Sequence, residues 1–194
     1  MNNEWDQYAE GWDTDSSVQV YAANAFKTLS TVVEGKDLSV FDFGCGTGSL
    51  TQLLSRDAKE IVALDGSAEM VKRVVDKKLQ NVTPIAGFLT TQLIASNPDW
   101  IHKFDLVVAS SVCGFLPDYE STLGLLKSLM KPGASFVQWD WLAEDDGAAT
   151  GLPAKRVLAA LQHHQFINIQ VSQPFDMVSA RGIMQVLMAV AKTA

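Results

Sequence analysis

The sequence predicts an α/β fold in which a mostly parallel sheet carries helices on both faces. Short runs of apolar, β-leaning residues alternate with longer helical patterns, and this alternation is typical of parallel sheets. Several of the runs are apolar at consecutive positions, as strands covered on both faces are. The 194 residues suit one domain. Because no linker composition divides them, we expect a single domain over 1–194.

Seven strands are predicted in chain order. Five of them alternate with helical patterns, at 39–44, 60–65, 81–87, 104–110 and 135–141. The last two, "FINIQVS" and "QVLMAVAK", lie at 166–172 and 185–192. Because no clear long helix separates these two, they pair more easily as antiparallel neighbours.

The predicted helices precede the first strand or separate later strands, at 18–35, 49–58, 67–79, 119–130 and 152–164. In the fourth helix, apolar residues from Leu123 to Met130 share one face. "KPG" then stops that helix, because proline cannot continue it and glycine suits its exit. In the last helix Pro153 falls in the first turn, where a missing N–H is tolerated.

Composition and charge disfavour several classes of partner. The net charge is −7 and the pI is 4.8, so the protein would repel a nucleic acid. The basic cluster at 72–78 is interpreted as the solvent-exposed face of an amphipathic helix. No apolar run approaches membrane-spanning length. The acidic, aromatic start "MNNEWDQYAEGWD" is unlike a secretory signal, and two cysteines are too few for a disulfide framework. We therefore expect a cytoplasmic protein with neither nucleic acid nor membrane as partner.

The stretch "VFDFGCGTGSL" at 40–50 places Gly44, Gly46 and Gly48 between a strand and a helix. Glycine permits close approach of a ligand to the backbone, and the helix start offers free N–H groups. A nucleotide-like ligand is favoured, although the same glycines also suit a plain tight turn. A dinucleotide fingerprint would have its third glycine at Ser49. Asp42, two residues before the first glycine, would repel a phosphate and suits an ammonium group or a water. The pattern therefore indicates a nucleoside with a zwitterionic tail.

A second acid, Asp65, ends the second strand 21 residues after Gly44. A carboxylate at this strand tip accepts both hydrogen bonds from a ribose diol, and about 20 residues is the spacing that this geometry needs. The alternative is that Asp65 caps the helix that begins near Ser67. The turn and the acid together favour the ribose interpretation.

Four ordered stretches resemble motifs of the class I S-adenosylmethionine-dependent methyltransferases. They are "VFDFGCGTGSL", "VALDGSAEMV" at 62–71, "FDLVVASSVCGFLPD" at 104–118 and "LLKSLMKPGASFV" at 125–137. The leader "YAEGWD" is similar to that of small-molecule members of the family. The resemblance implies a seven-stranded, Rossmann-like sheet with an antiparallel last strand, and S-adenosylmethionine as the methyl donor. The loop "SSVCGFLPD" lacks the Asn or Asp followed by two prolines of amide- and amine-methylating members, so methylation of nucleic acids or glutamine loses support.

Carried over residue by residue, the resemblance implies a set of cofactor-binding residues. Asp42 would serve the amino end of the cofactor, and Asp65 the ribose hydroxyls. The other members of the set are Gly44, Cys45, Gly46, Gly48, Gly66, Ser67, Met70, Gly87, Phe88 and Ser110. The family often has an acid after the glycine that ends the third strand, where this chain has Phe88. We therefore expect a backbone N–H there, or stacking by Phe88, to replace the usual carboxylate contact with adenine.

Methyl transfer is an in-line displacement in which the protein mainly aligns two ligands and excludes water. A general base is needed only for an acceptor that is protonated at the working pH. Asp140, near the carboxyl end of the fifth strand, is the candidate base or substrate residue, and its alternative role is to cap the following turn. The three histidines are interpreted as structural, and no metal site is expected. Cys45 and Cys113 follow strands that are neighbours in this sheet order, so we expect two free thiols close together.

Aromatic residues near the start of the chain and after the fourth and fifth predicted strands suggest the acceptor side of the site. With residues 1–17 as a candidate lid, five aromatic side chains line a pocket for a flat or apolar small molecule: Trp5, Tyr8, Trp12, Phe115 and Trp141. Simple packing of the leader aromatics onto the sheet edge fits the sequence as well. The sequence thus predicts an S-adenosylmethionine-dependent methyltransferase acting on a small molecule. The alternatives are a non-catalytic S-adenosylmethionine-binding module and an NAD-dependent oxidoreductase, and the sequence does not indicate an oligomeric state.

Overall fold

A computed structural model describes residues 4–145, 150–179 and 182–194, which form a seven-stranded sheet. The strands are β1 Ser39–Phe43, β2 Glu60–Asp65, β3 Val82–Ala86, β4 Phe104–Ser110, β5 Met130–Trp141, β6 Ile167–Ser179 and β7 Gly182–Lys192. Their order is β3-β2-β1-β4-β5-β7-β6. The pairs among β1 to β5 are parallel, and β7 runs antiparallel to both β5 and β6. The predicted mixed sheet is confirmed.

Helices cover both faces of this sheet. They are α1 Ala9–Trp12, α2 Ser16–Val32, α3 Ser49–Leu54, α4 Ala68–Asp76, α5 Thr91–Ser96, α6 Tyr119–Leu129 and α7 Ala154–His163, with 3-10 helices at Glu4–Tyr8, Pro98–Trp100 and Cys113–Phe115. The α2 helix begins earlier than predicted because Asp15 caps it, accepting a 2.8 Å hydrogen bond from the Ser17 N–H. We call residues 4–15, which precede α2, the leader. Its two short helices and α5 were not predicted, since each is too short to show a helical period. Within the described ranges, no helix is both long and apolar enough to cross a bilayer.

Two strands are longer than predicted, and each contains a proline in the added part. The α6 helix ends at Leu129 as expected, but 131–133 continue directly into β5, where the pairing with β4 shifts register. The β6 strand runs past its predicted end because a register shift between Ser172 and Phe175 accommodates Pro174. A strand at the edge of a sheet tolerates the missing N–H of proline, and β6 is such a strand.

Alternate strand residues enter two separate cores, one on each face of the sheet. In β1, Phe41 and Phe43 pack into the core that α6 and α7 cover, while Val40 packs into the core that α2 covers. Every residue of β1 is buried, as expected for a central parallel strand. Cys45 and Cys113 are both free and buried, but they pack into opposite cores. The expectation of two adjacent thiols is therefore wrong, because neighbouring strands do not oblige the residues after them to share a face.

The strand order reverses between β1 and β4. From β1 the chain proceeds to β2 and β3 on one side, and from β4 it proceeds to β5 on the other. In open α/β sheets, the loops on the two sides of such a point diverge and leave a crevice at the carboxyl ends of the strands. The glycine turn after β1 and the loop after β4 border this crevice.

Candidate functional site

A cavity of about 660 Å³ opens at the carboxyl ends of β1 and β4. We call its two sides the turn arm and the hairpin arm. The turn arm is walled by residues that follow β1, β2 and β3, and the hairpin arm by the start of α2, the end of β5 and the β6–β7 hairpin. The loop after β4 and the leader also contribute to the wall. A volume of this size is ordinary for a small-molecule site.

The glycine turn leaves room on the cavity side because two of its glycines lack the side chain that would otherwise clash or project into the cavity. Gly44 has φ +71°, and a Cβ there would lie 2.4 Å from Val112 Cγ2, inside contact distance. Gly46 has φ +55°, and the nearest heavy atom to a Cβ there is Trp12 Nε1 at 3.8 Å. Gly44 is thus required by the fold, whereas Gly46 keeps space open between the turn and the leader. Gly48 caps α3 and lies outside the cavity wall.

Asp42 is a buried carboxyl with one unused oxygen. Its Oδ2 accepts a 2.6 Å hydrogen bond from Thr51 Oγ1, and its Oδ1 has no hydrogen-bond partner among the residues that the structure describes. Burial raises the pKa of Asp42 to about 7. A buried acceptor without a donor is costly, and a cation in the cavity would relieve that cost. Asp42 lines the turn arm, as its predicted role at the amino end of a cofactor requires.

Asp65 ties the end of β2 to its surroundings through both oxygens. Its Oδ2 accepts from the Gly46 N–H at 2.8 Å, and its Oδ1 accepts from the Ser67 N–H at 2.8 Å. Burial raises the pKa of Asp65, while these two hydrogen bonds oppose the rise. The cap of α4 is Ser67, which accepts from the Met70 N–H and lies outside the cavity wall. Because a carboxylate oxygen accepts two hydrogen bonds, Asp65 keeps capacity for ligand hydroxyls.

The far end of the turn arm differs from the sequence-based expectation in one contact. Gly66, Met70, Gly87, Phe88 and Ser110 all line the cavity. The Gly87 N–H, however, donates to the Asp65 carbonyl at 2.8 Å and is committed to the sheet edge. Phe88 is 68 % exposed at the rim. Of the groups that the sequence suggests for adenine, the Gly87 N–H is thus engaged in the sheet, while the Phe88 N–H and the Phe88 ring remain.

The leader contributes aromatic rings to the cavity. Trp5 and Trp12 line it, and Trp5 packs edge-on against Phe115 of the loop after β4 with ring centres 5.1 Å apart. Tyr8 lies outside the wall, half exposed, against the outer sides of Trp5 and Trp12. The structure therefore brings four of the five predicted aromatic residues to the cavity, Trp141 being the fourth.

Two leader carboxylates that sequence reasoning missed anchor this segment. Asp6 accepts a hydrogen bond from the Ser67 hydroxyl. Asp13 accepts from the Thr47 hydroxyl in the glycine turn and pairs with Lys77 Nζ at 2.9 Å. The acidity of the leader was the only sequence signal, because no local pattern indicates which basic or hydroxyl group an acid will meet.

Asp140 does not line the cavity. It is buried behind the loop after β4, where its Oδ1 accepts from the Gly114 N–H at 2.9 Å and its Oδ2 from Gln138 Nε2 at 3.0 Å. Gln138 accepts in turn from the Tyr119 hydroxyl at 2.6 Å. Burial raises the pKa of Asp140 to about 7. This placement makes Asp140 a positioning residue for the loop that carries Phe115, rather than the base that the sequence suggests.

The three histidines lie outside this site. None of the three histidines lines the cavity, and His102 contacts the Met130 carbonyl at the opposite end of β4. Within the ranges that the structure describes, no three His, Cys, Asp or Glu side chains converge as metal ligands would. Sequence reasoning also missed the side chains of the hairpin arm, which are Val18, Tyr21, Met177, Val178 and Met184. Nothing in their local sequence marks them as cavity residues.

Comparison with known proteins gives a consistent match. A family model described as "Methyltransferase domain" matches residues 16–179. The mitochondrial ubiquinone biosynthesis O-methyltransferase of Bos taurus is 29 % identical over 133 residues, which cover 62 % of this chain and 34 % of that protein. The malonyl-[acyl-carrier protein] O-methyltransferase of Priestia megaterium is 25 % identical over 141 residues, which cover 71 % of this chain and 49 % of that protein. This chain thus spans about a third to a half of the length of these two relatives.

The fold is found again in a solved structure. The crystal structure of an S-adenosylmethionine-dependent methyltransferase from Aquifex aeolicus superposes with a TM-score of 0.73, covering 97 % of this chain and 98 % of that one. The two sequences are 19 % identical, so this similarity bears on the architecture alone.

Proposed function

This chain belongs to the methyltransferase domain family, and on that premise we propose that it is an S-adenosylmethionine-dependent methyltransferase whose acceptor is a small molecule. The observation that carries the proposal is the Asp42 Oδ1 atom, which is buried in the cavity wall with no hydrogen-bond partner. The ammonium group at the amino-acid end of S-adenosylmethionine supplies the donor that this oxygen lacks.

The turn arm fits the rest of the cofactor. Gly46 leaves open the space between the glycine turn and Trp12, through which a nucleoside can pass close to the backbone. Asp65 is half-buried on the wall with unused acceptor capacity, as a ribose diol requires. Met70 and Phe88 offer an apolar surface and a ring for adenine. We assign the cofactor to these residues.

When bound, S-adenosylmethionine supplies a methyl group on a sulfonium, which is an intrinsically good leaving group. The contribution of the protein is to hold two ligands in line and to exclude water. Trp5, Trp12 and Phe115 close the cavity from the leader and the loop after β4. The wall carries no histidine, which suits an acceptor that is deprotonated or nucleophilic without a protein base.

A small-molecule acceptor is supported by the size of the cavity and by the names of the relatives, both of which are O-methyltransferases. The net charge of −7 disfavours a nucleic acid acceptor. We also propose a cytoplasmic location. Its support is that Cys45 and Cys113 are free, as is usual in a reducing compartment.

Calorimetric titration with S-adenosylmethionine and S-adenosylhomocysteine tests the proposal. Both should bind, and the Asp42→Asn variant should bind them about 10- to 100-fold more weakly, because a hydrogen bond to a charged group contributes about 1.5–3 kcal/mol. An exposed acid with an ion pair, Asp57 beside Lys36, provides the control variant Asp57→Asn. Absence of binding at millimolar concentrations would contradict the proposal, whereas binding without turnover over a broad acceptor panel would indicate a non-catalytic module. An NADH fluorescence titration addresses the oxidoreductase alternative.

A further inference from the structure

Two buried side-chain polar atoms in the described residues have no hydrogen-bond partner, and both belong to residues of the same cavity wall. They are Asp42 Oδ1 and Tyr21 Oη. The cofactor proposed above accounts for the first. Tyr21 lies on α2, in the hairpin arm, on the other side of the β1–β4 crevice from Asp65. Its hydroxyl therefore calls for a different partner.

Packing alone does not require a hydroxyl at this position. The Tyr21 ring is 7 % exposed and makes edge-on contacts with Trp141 at 5.3 Å and Phe175 at 5.5 Å between ring centres. A phenylalanine would keep both ring contacts, and it would avoid the cost of burying an unpaired hydroxyl. Tyr119, a second buried tyrosine, shows the usual arrangement, because its hydroxyl donates to Gln138. The Tyr21 hydroxyl is thus best explained by a partner that enters with a ligand.

The surroundings of Tyr21 define what kind of ligand this is. Four neighbours in the hairpin arm are apolar or aromatic: Val18, Trp141, Met177 and Met184. Indole and thioether groups favour contact with a flat ring. Two acids lie nearby, but Asp15 uses Oδ1 to cap α2 at the exposed end of the helix. Asp140 lies behind the wall with both oxygens engaged. Asp15 thus remains in contact with solvent, which screens its charge, and the arm offers a charged ligand no buried counter-ion.

We propose that Tyr21 determines acceptor specificity, and that the acceptor is a neutral, flat aromatic compound with an oxygen that accepts a hydrogen bond from the Tyr21 hydroxyl. The ring of the acceptor lies against Trp141, Met177 and Met184. Burial and the neighbouring Asp140 carboxyl raise the pKa of Tyr21 well above its ordinary value, so the phenol stays protonated and donates. The inference rests on the proposed function, because it assigns the turn arm to the cofactor and leaves the hairpin arm to the acceptor.

Binding of two matched probes to the complex with S-adenosylhomocysteine tests the inference without the need for turnover. 2-Naphthol carries the oxygen, and naphthalene lacks it. We expect 2-naphthol to bind the wild-type complex and Tyr21→Phe to weaken its binding about tenfold, since the variant lacks the hydroxyl that donates to the probe. Naphthalene affinity should change less than about twofold. Asp57→Asn, which changes an exposed acid outside the cavity wall, should leave the affinity for 2-naphthol unchanged.

Three results would overturn the inference while S-adenosylhomocysteine still binds. They are absence of 2-naphthol binding at millimolar concentration, equal 2-naphthol affinity in wild type and Tyr21→Phe, and an equal loss for both probes. A melting temperature of Tyr21→Phe below that of wild type would also overturn it, because the hydroxyl would then have a partner in the free protein. Failure of S-adenosylhomocysteine to bind wild type is a different result, which overturns the proposed function and this inference with it.

Discussion

The Thr51 hydroxyl donates a 2.6 Å hydrogen bond to Oδ2 of Asp42, and no group in the described part of the chain donates to the other oxygen of that carboxyl. One hydroxyl does not compensate for complete burial, so the pKa of Asp42 is raised to about 7. The free protein thus holds a carboxyl that is half protonated near neutral pH. A ligand with an ammonium group would complete its ionisation, and cofactor binding and proton release are linked through this one side chain.

We expect the affinity for S-adenosylhomocysteine to increase with pH. Below about pH 7 Asp42 is mostly protonated, and binding of an ammonium must first displace that proton. The dissociation constant should therefore rise up to about tenfold for each pH unit below 7 and level off above it. Calorimetry at pH 6, 7 and 8 measures this, and Asp42→Asn should flatten the profile. An equally steep profile in Asp42→Asn would show that another group titrates.

The stability of the free protein should show the opposite trend. Asp42 and Asp140 each have a pKa raised to about 7, so between about pH 4 and 7 the folded state binds more protons than the unfolded state. Stability then falls as pH rises through this window. We expect the melting temperature at pH 5.5 to exceed that at pH 8 by about 2–4 °C for each kcal/mol involved. The pKa values of three other carboxyls are lowered, so these groups change the folding stability only below this pH window. They are Glu60, Asp105 and Glu120.

Calorimetric melting of the free protein across this pH range checks the expectation. Asp42→Asn should reduce the difference between pH 5.5 and pH 8, because one of the two buried carboxyls no longer ionises. A melting temperature that rises with pH over the whole range would contradict the raised pKa values.

Alanine at two glycines of the turn should separate folding from ligand binding. At Gly44, a left-handed φ and a Cβ 2.4 Å from Val112 should together destabilise the fold by about 2–5 kcal/mol. At Gly46, the φ is also left-handed but the Cβ meets nothing closer than 3.8 Å, so the cost should be about 1–2 kcal/mol. Gly46→Ala should nevertheless weaken S-adenosylhomocysteine about tenfold, because the new methyl group stands in the cavity.

Thermal melting and calorimetry on both glycine variants provide the measurements. The double variant Gly44→Ala with Val112→Ala is the control, since it removes the clashing side chain and should recover part of the lost stability. If Gly46→Ala bound S-adenosylhomocysteine as wild type does, the assignment of this space to the cofactor would be wrong.

Release of the leader should follow loss of the contacts at Asp13. Its carboxylate holds both Thr47 and Lys77, but the ion pair is partly exposed and contributes only about 0.2–1 kcal/mol to stability. Asp13→Ala also leaves the buried Thr47 hydroxyl without its acceptor, so it should lower the stability by about 1–3 kcal/mol. It should accelerate dissociation of S-adenosylhomocysteine about 3- to 10-fold, because Trp5 and Trp12 no longer close the cavity.

Stopped-flow tryptophan fluorescence reports this dissociation rate. Lys77→Met should act in the same direction, and the double variant should show less than the sum of the two effects, since both remove one ion pair. Lys36→Met, which breaks the exposed pair with Asp57, is the matched control. Unchanged dissociation in Asp13→Ala would show that the leader does not gate the cavity.

Loss of the hydroxyl should affect the melting temperature differently at the two buried tyrosines. Tyr119→Phe leaves Gln138 Oε1 without its donor and should cost about 1–3 kcal/mol, or about 2–4 °C in melting temperature for each kcal/mol. Tyr21→Phe removes a hydroxyl that has no partner and should leave the melting temperature equal or higher. Differential scanning calorimetry of the free protein compares the two.

The sequence alone determined the parts of this protein that rest on local patterns. Strands β1 and β2, the turn with Gly44 and Gly46, and the two acids Asp42 and Asp65 were all predicted where the structure has them. Apolar periodicity, turn chemistry and the spacing between a turn and an acid each act over a few residues or over one strand–helix–strand unit, so they can be read from one sequence.

Tertiary structure alone decided which side chains reach the cavity. Asp140 and Trp141 are adjacent in β5, yet Trp141 lines the cavity, whereas Asp140 is buried behind the loop after β4. Lys77 meets Asp13 from 64 positions away, and Tyr21 becomes a cavity residue because the β6–β7 hairpin packs beside α2. These outcomes depend on how distant segments pack, and a side chain's own sequence neighbours carry no information about that packing.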